Sequence, residues 1–201
     1  MDTPKHRLTM TVLMTPDMAN FAGNVHGGTL LKLLDQVAYA CASRYAARYC
    51  VTVSLDQVMF REPVHVGELV TFLASVNHTG TSSMEVGVRV MAEQIRSRTS
   101  RHVVSCFFTM VALDDERRPA PVPPFVPETA DELRRHADAA LRKQLRREAV
   151  ERFKALKAPA APAGRPAHRA GSMPPSPAGS FMAASPRLTR LGGTLRRGSS
   201  A

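Results

Sequence analysis

The stretch NVHGGTLLKLLDQVAYACASRYAARY, residues 24–49, decides how this chain folds. From Thr29 onward it holds neither Pro nor Gly, and it is long enough for about five helical turns. The Gly27–Gly28 pair marks where that helix begins. In its first half Leu30, Leu31, Leu33, Leu34, Val37 and Ala38 surround a single carboxylate, Asp35, so the helix is apolar on nearly every side. A surface helix avoids that pattern because exposed apolar area is unfavourable, so this helix is expected to be enclosed by other structure.

The wrapping material lies on both sides of it. Upstream, RLTMTVLM at 7–14 alternates Leu8, Met10, Val12 and Met14 with Arg7, Thr9 and Thr11, the period of a strand with one buried face. Downstream come four strand-like runs, VTVSLDQVMF (51–60), ELVTFLASVNH (68–78), MEVGVRVMAEQ (84–94) and HVVSCFFTMVAL (102–113). TGTSS at 79–83 and IRSRTS at 95–100 are short enough for antiparallel hairpins. The order β-α-β-β-β-β predicts an α+β domain over 6–118. After a Pro-rich link, Thr129 and Glu132 form a capping box for a second helix within 119–157. Its apolar positions are Leu133, Ala137, Leu141, Leu145, Ala149, Phe153 and Leu156, a stripe expected to serve packing or oligomerisation.

From 158 to 201, Pro, Ala, Gly, Ser and Arg dominate, a composition expected to be disordered. Of the formal net charge of +10, the six Arg of that tail supply +6 and leave +4 for the body, so no specific nucleic-acid partner is expected. Three cysteines, at 41, 50 and 106, lack CxxC spacing and fit a reducing, cytoplasmic setting. No signal-peptide pattern and no apolar run of membrane-spanning length is present in the sequence read.

One long helix followed by four strands, with NVHGG at its start and LLD one to two turns later, resembles the HotDog-fold acyl-CoA thioesterases (acyl-CoA hydrolases) of the ACOT or YciA type. FREPVHVGELV at 60–70 and TGTSSMEV at 79–86 match that family in the same order. The resemblance implies a single HotDog domain, a curved antiparallel sheet wrapped around the central helix. It also implies an acyl-CoA substrate, a part in fatty acid metabolism, and a homodimer with its sites at the interface, further assembled as a dimer of dimers or trimer of dimers. No cofactor is implied beyond the CoA carried in the substrate, and no metal.

Carried onto this sequence, the resemblance assigns Asn24, Gly27, Gly28 and Asp35 to catalysis, with Asn24 and Asp35 coming from facing subunits. Each assignment has a chemical rationale. Thioester hydrolysis needs an activated water or an attacking carboxylate, and donors for the charge that develops on the carbonyl oxygen. Gly27 and Gly28, at a helix start, offer backbone N–H groups and the positive end of the helix dipole. Asp35, expected to face a polar cavity, is the general base or the nucleophile. Asn24 offers both donor and acceptor to orient the water or Asp35. His26 is assigned a supporting role in substrate binding, and Thr81, Ser82 and Ser83 are candidates for contacts to CoA. Two other readings use the same residues: a HotDog dehydratase or hydratase pairing His26 with Asp35, and a non-catalytic acyl-CoA sensor.

Overall fold

Alternation along the first strand settles which side of the sheet is the core. In the computed structural model, which describes residues 5–157, β1 (Arg7–Leu13) turns Leu8, Met10 and Val12 inward and leaves Arg7, Thr9 and Thr11 on the other side. The alternation continues through β2 (Tyr49–Phe60), β3 (Leu69–Thr79), β4 (Ser83–Gln94) and β5 (Thr99–Leu113), interrupted by register shifts at Thr52/Ser54, Asp56/Met59, Val76/His78 and Val90/Met91. Phe72, Val86, Val90, Phe108 and Met110 are fully buried on the inner face. The five strands form one antiparallel sheet in the order β1-β3-β4-β5-β2, which leaves β1 and β2 at its edges.

Helix α1 (Gly27–Ala46) lies on the inner face and touches all five strands. Leu30, Leu34, Val37, Ala38, Cys41, Ala42 and Ala46 recur at helical spacing and are buried. Fully burying a side chain such as Leu34 or Val37 contributes about 1.5–3 kcal/mol. Two expectations are corrected here. The helix is not enclosed on every side: Leu31 and Leu33 are half-buried, and Lys32, Asp35, Gln36 and Tyr39 are exposed, because a five-stranded sheet covers one flank of a helix and not both. The helix also stops before Tyr49. Ala47 takes the left-handed conformation (φ 51°) as its C-cap, and Tyr49 already belongs to β2.

The link after β5 is held to the sheet rather than free of it. Ala120 N–H donates to Ala112, Val122 N–H to Thr81, and Phe125 N–H to the Thr79 hydroxyl. Helix α2 (Ala130–Lys157) starts with the reciprocal capping box, Glu132 N–H to Thr129 Oγ1 at 3.2 Å and Thr129 N–H to Glu132 Oε2 at 3.1 Å. It then crosses the outer face of the sheet. Glu132 meets His6 at 2.9 Å and Arg7 of β1, and His136 stacks on His78 of β3 with ring centroids 5.0 Å apart. Arg142 pairs with Glu85 of β4 at 2.7 Å and lies over the Phe107 ring of β5. Arg146 pairs with Asp56 of β2 at 2.8 Å. The helix therefore docks through polar groups, while Leu133, Leu141 and Leu145 of the apolar stripe that the sequence singles out face away and are exposed. Ion pairs formed under the helix, which periodicity does not encode, choose its inward face. No described helix is long and apolar enough to cross a membrane. The 158–201 tail, expected to be disordered, lies outside the described residues.

Glu132 is the buried charge that fixes the start of α2. Burial acts to raise its carboxyl, but N–H groups of Glu128 and Thr129 together with Arg7 and His6 outweigh burial and hold it well below the ordinary 4.5. Its stabilisation is thus complete above about pH 4.5 and is lost as pH falls below that value. Chemical denaturation at pH 7 should show Glu132→Gln less stable by about 1.5–3 kcal/mol, with a shallower acid-side loss than the parent. Cys41, Cys50 and Cys106 are all free and buried, and burial pushes the Cys41 and Cys106 thiols up to about 12. A chromogenic thiol reagent at pH 8 should leave the native protein unmodified and report all three thiols in denaturant.

Candidate active site

Residues 18–26 fold back on themselves before α1 begins. Asn20 N–H donates to Asn24 O at 2.6 Å, Gly23 N–H to Asn20 O at 3.0 Å, and His26 N–H to Met18 O at 2.8 Å. Gly23 sits at φ +81°, a conformation that a side chain disfavours. The Asn20 side chain braces the inside of this turn, its Oδ1 accepting from Ala22 N–H at 2.9 Å and Asn24 N–H at 3.2 Å. Among the described residues the Asn20 Nδ2 group and the whole Asn24 side-chain amide have no hydrogen-bond partner.

His26 is the N-cap of α1: its Nδ1 accepts from Gly28 N–H at 2.9 Å, which places the proton of the neutral ring on Nε2. The Gly28 N–H is therefore committed to the cap. A Cβ at position 28 would lie 2.9 Å from His26 Nδ1, so glycine is needed there to admit the ring. Gly27 differs: its N–H has no partner among the described residues, and a Cβ there would meet only Phe60 Cζ at 3.7 Å. Asn20, Asn24, Gly27, Leu30, Phe60 and Arg61 line an open cleft of about 340 Å³ at this helix start.

Asp35 stands apart from that cleft. It is exposed in the single chain, which corrects the expectation of a buried carboxylate facing a polar cavity, because it projects from the flank of α1 that the sheet leaves uncovered. Its Oδ1 accepts from the Thr52 hydroxyl of β2 at 2.7 Å, which fixes the carboxylate, while Oδ2 has no partner among the described residues. Eight residues of helix separate Gly27 from Asp35, a rise of about 12 Å. Within one chain Asp35 is thus joined to Thr52 and not to Asn24.

Thr81, Ser82 and Ser83 form the β3–β4 turn. The Thr81 and Ser82 carbonyls accept from Val122 and Ala112, while the three hydroxyls have no partner among the described residues. Thr52 pairs with Met110, and Met110 with Met84, so the turn lies at the same end of the sheet as Thr52, about 10 Å away across two strand spacings. Sequence reading did not single out Asn20 or Thr52. A second Asn in the same loop was the only signal for the first, and nothing local marks the second.

Comparison with known proteins agrees with this geometry. A model of the thioesterase superfamily matches residues 22–99. Protein VdlD of Helicobacter pylori is 48% identical over 140 residues, covering 70% of this chain and 80% of that protein. A hexameric acyl-CoA thioesterase, solved without ligand, superposes with a TM-score of 0.70 at 35% identity, covering 72% of this chain and 92% of its own. An acyl-CoA hydrolase from Staphylococcus aureus, solved with butyryl-CoA, CoA and CoA disulfide, superposes with a TM-score of 0.67 at 30% identity, covering 75% and 94%. The same hydrolase has been solved as alanine variants of an aspartate, of a threonine seventeen positions after it and of an asparagine fifteen before it. With 48% identity over 140 residues to VdlD, 35% identity across 92% of a hexameric acyl-CoA thioesterase, and the superfamily pattern running through the loop, α1 and the first three downstream strands, this chain belongs to the thioesterase superfamily.

Proposed function

We propose that the chain hydrolyses acyl-CoA thioesters to the free acid and CoA at a site shared by two copies, the loop and Gly27 from one and Asp35 with Thr52 from the other. The observation that carries this reading is the 12 Å rise, about eight helical residues, between the open N–H of Gly27 and the carboxylate of Asp35. A carbonyl in contact with a donor must have its attacking group about 3–3.5 Å away, so one chain cannot supply both. A two-fold axis can, and it produces two equivalent sites. Asp35 is fixed by Thr52, exposed and free at Oδ2, which leaves it available to a facing subunit.

In the general-base form of the step, Asp35 Oδ2 takes a proton from water as the water oxygen bonds to the thioester carbon. The carbonyl oxygen gains the electron pair and is held by Gly27 N–H. Collapse of the tetrahedral species breaks the C–S bond, and the departing thiolate takes the proton. In the nucleophilic form, an Asp35 oxygen bonds to the carbon and the C–S bond breaks to release the thiolate; water then cleaves the mixed anhydride, freeing the acid, restoring the Asp35 carboxylate and supplying the proton the thiolate takes. No cofactor is used beyond the CoA of the substrate. The spacings in the Staphylococcus aureus variants support these roles, because fifteen positions before Asp35 stands Asn20 and seventeen after it stands Thr52. We therefore assign the water-orienting amide to Asn20, with Asn24 beside it in the cleft, and offer the Thr81, Ser82 and Ser83 hydroxyls to the pantetheine or phosphates of CoA. His26, tied into the cap, is not the acid of a dehydratase. The hexameric relatives support a trimer of dimers. The buried, unpaired thiols fit a cytoplasmic enzyme of acyl-chain metabolism.

Release of thiol from short, medium, long and aromatic acyl-CoAs tests the reaction directly, and formation of an enoyl product without thiol release would overturn it. Asp35→Asn should lower kcat by about 10² to 10⁴, the range for loss of a positioned base. Thr52→Val should lower it less, because it frees the carboxylate without removing it. The shared site has a sharper signature: Asn20→Ala and Asp35→Asn chains, each poorly active alone, should regain about a quarter of parental activity on co-expression, since half the dimers then carry one intact site of two. No gain on mixing would place all the groups in one chain.

A further inference from the structure

We infer that the last three turns of α2 lie on the outer face of a second copy's sheet. The helix meets its own strands in sheet order, β1 through Glu132, β3 through His136, β4 and β5 through Arg142, and β2 through Arg146. The dimensions agree: residues 132 to 146 rise about 21 Å at 1.5 Å each, against about 19 Å for four strand spacings. By Arg146 the helix has reached the edge strand β2. Residues 147–157 continue for about 16 Å more, the width of roughly three further strands. Every residue from 147 to 156 is exposed.

The residue types on that overhang change as they would if a different surface lay beneath. Helical spacing carries the inward series Glu132, His136, Ala139, Lys143, Arg146 on to Val150 and Phe153. Of the earlier members, Glu132 meets His6 and Arg7, His136 stacks on His78, Arg146 pairs with Asp56, and Ala139 is buried. Val150 and Phe153 have no described residue of this chain under them and are 47% and 64% exposed. The surface in their path is whatever prolongs the sheet at the β2 edge. Among the described residues that edge has no strand paired to it, and it exposes Val53 and Met59, the features that invite another strand. The occupant is accordingly a second copy joined along β2, with each overhang reaching the other's outer face, as two-fold symmetry requires. This inference rests on the shared-site dimer proposed above.

The test uses the full chain with p-benzoylphenylalanine in place of Phe153, co-expressed with isotope-labelled parent, and with sedimentation run on the same sample. Illumination should give mixed-label cross-linked peptides joining position 153 to β2, β5 or β4 of the other copy, while the same group at Glu148, on the opposite side of the helix, should not. A preparation that sediments as a dimer or larger but yields only same-chain cross-links, or none, overturns the inference and leaves the dimer standing. A monomeric preparation overturns both. Independently, the double change Val150→Asp with Phe153→Asp should raise the dimer dissociation constant at least about tenfold, as loss of buried apolar contacts does, with turnover unchanged at concentrations that keep the dimer. An unchanged constant overturns the inference.

Discussion

The contact between α1 and the inner face of the sheet is the interaction on which the rest depends. Burying Leu30, Leu34, Val37 and Cys41 against Phe72, Val86 and Phe108 fixes the rotation of the helix about its axis. Once that is fixed, the direction of every other side chain follows. The loop and Gly27 open toward the Phe60 end of β2, and Asp35 emerges beside Thr52, from the flank the sheet does not reach. A sheet of five strands has one inner face to offer a helix, so a flank of α1 stays bare, and Asp35 projects from it.

The same sheet governs α2 by a different force. Its outer face is studded with Glu85, Asp56 and Thr109, and the helix answers with Arg142 and Arg146. Polar docking of this kind contributes modestly when exposed and strongly when shielded. Glu132 and Glu85, both buried, are of the shielded kind. The inner face holds the protein together through area, and the outer one orients a helix through charge.

Much of this was legible before any coordinates. The period-two alternation of β1 and the unbroken run after Gly28 identify strand and helix because burial on one face writes itself into the sequence. The capping box at Thr129 and Glu132 is equally local. What was not legible had distant causes. The α1 stop at Ala47 lacks the glycine that usually announces a left-handed cap. Which of Asn20 and Asn24 braces the turn depends on how the loop closes around Gly23. Thr52 matters only because β2 comes to rest beside Asp35, and the inward face of α2 was misread because its partners sit on other strands. The apolar neighbours of Asp35 pointed to a buried carboxylate, whereas in the single chain it is exposed.

The His26 cap has a consequence for how this site is to be read by substitution. The imidazole fills the space that any side chain at position 28 would occupy, and it takes the N–H of that same residue. Positions 26 and 28 are therefore one unit with a single degree of freedom between them, and changes at the two are not additive. Intolerance of position 28 reports on the helix start, whereas position 27 has space for a side chain and an N–H with no partner among the described residues.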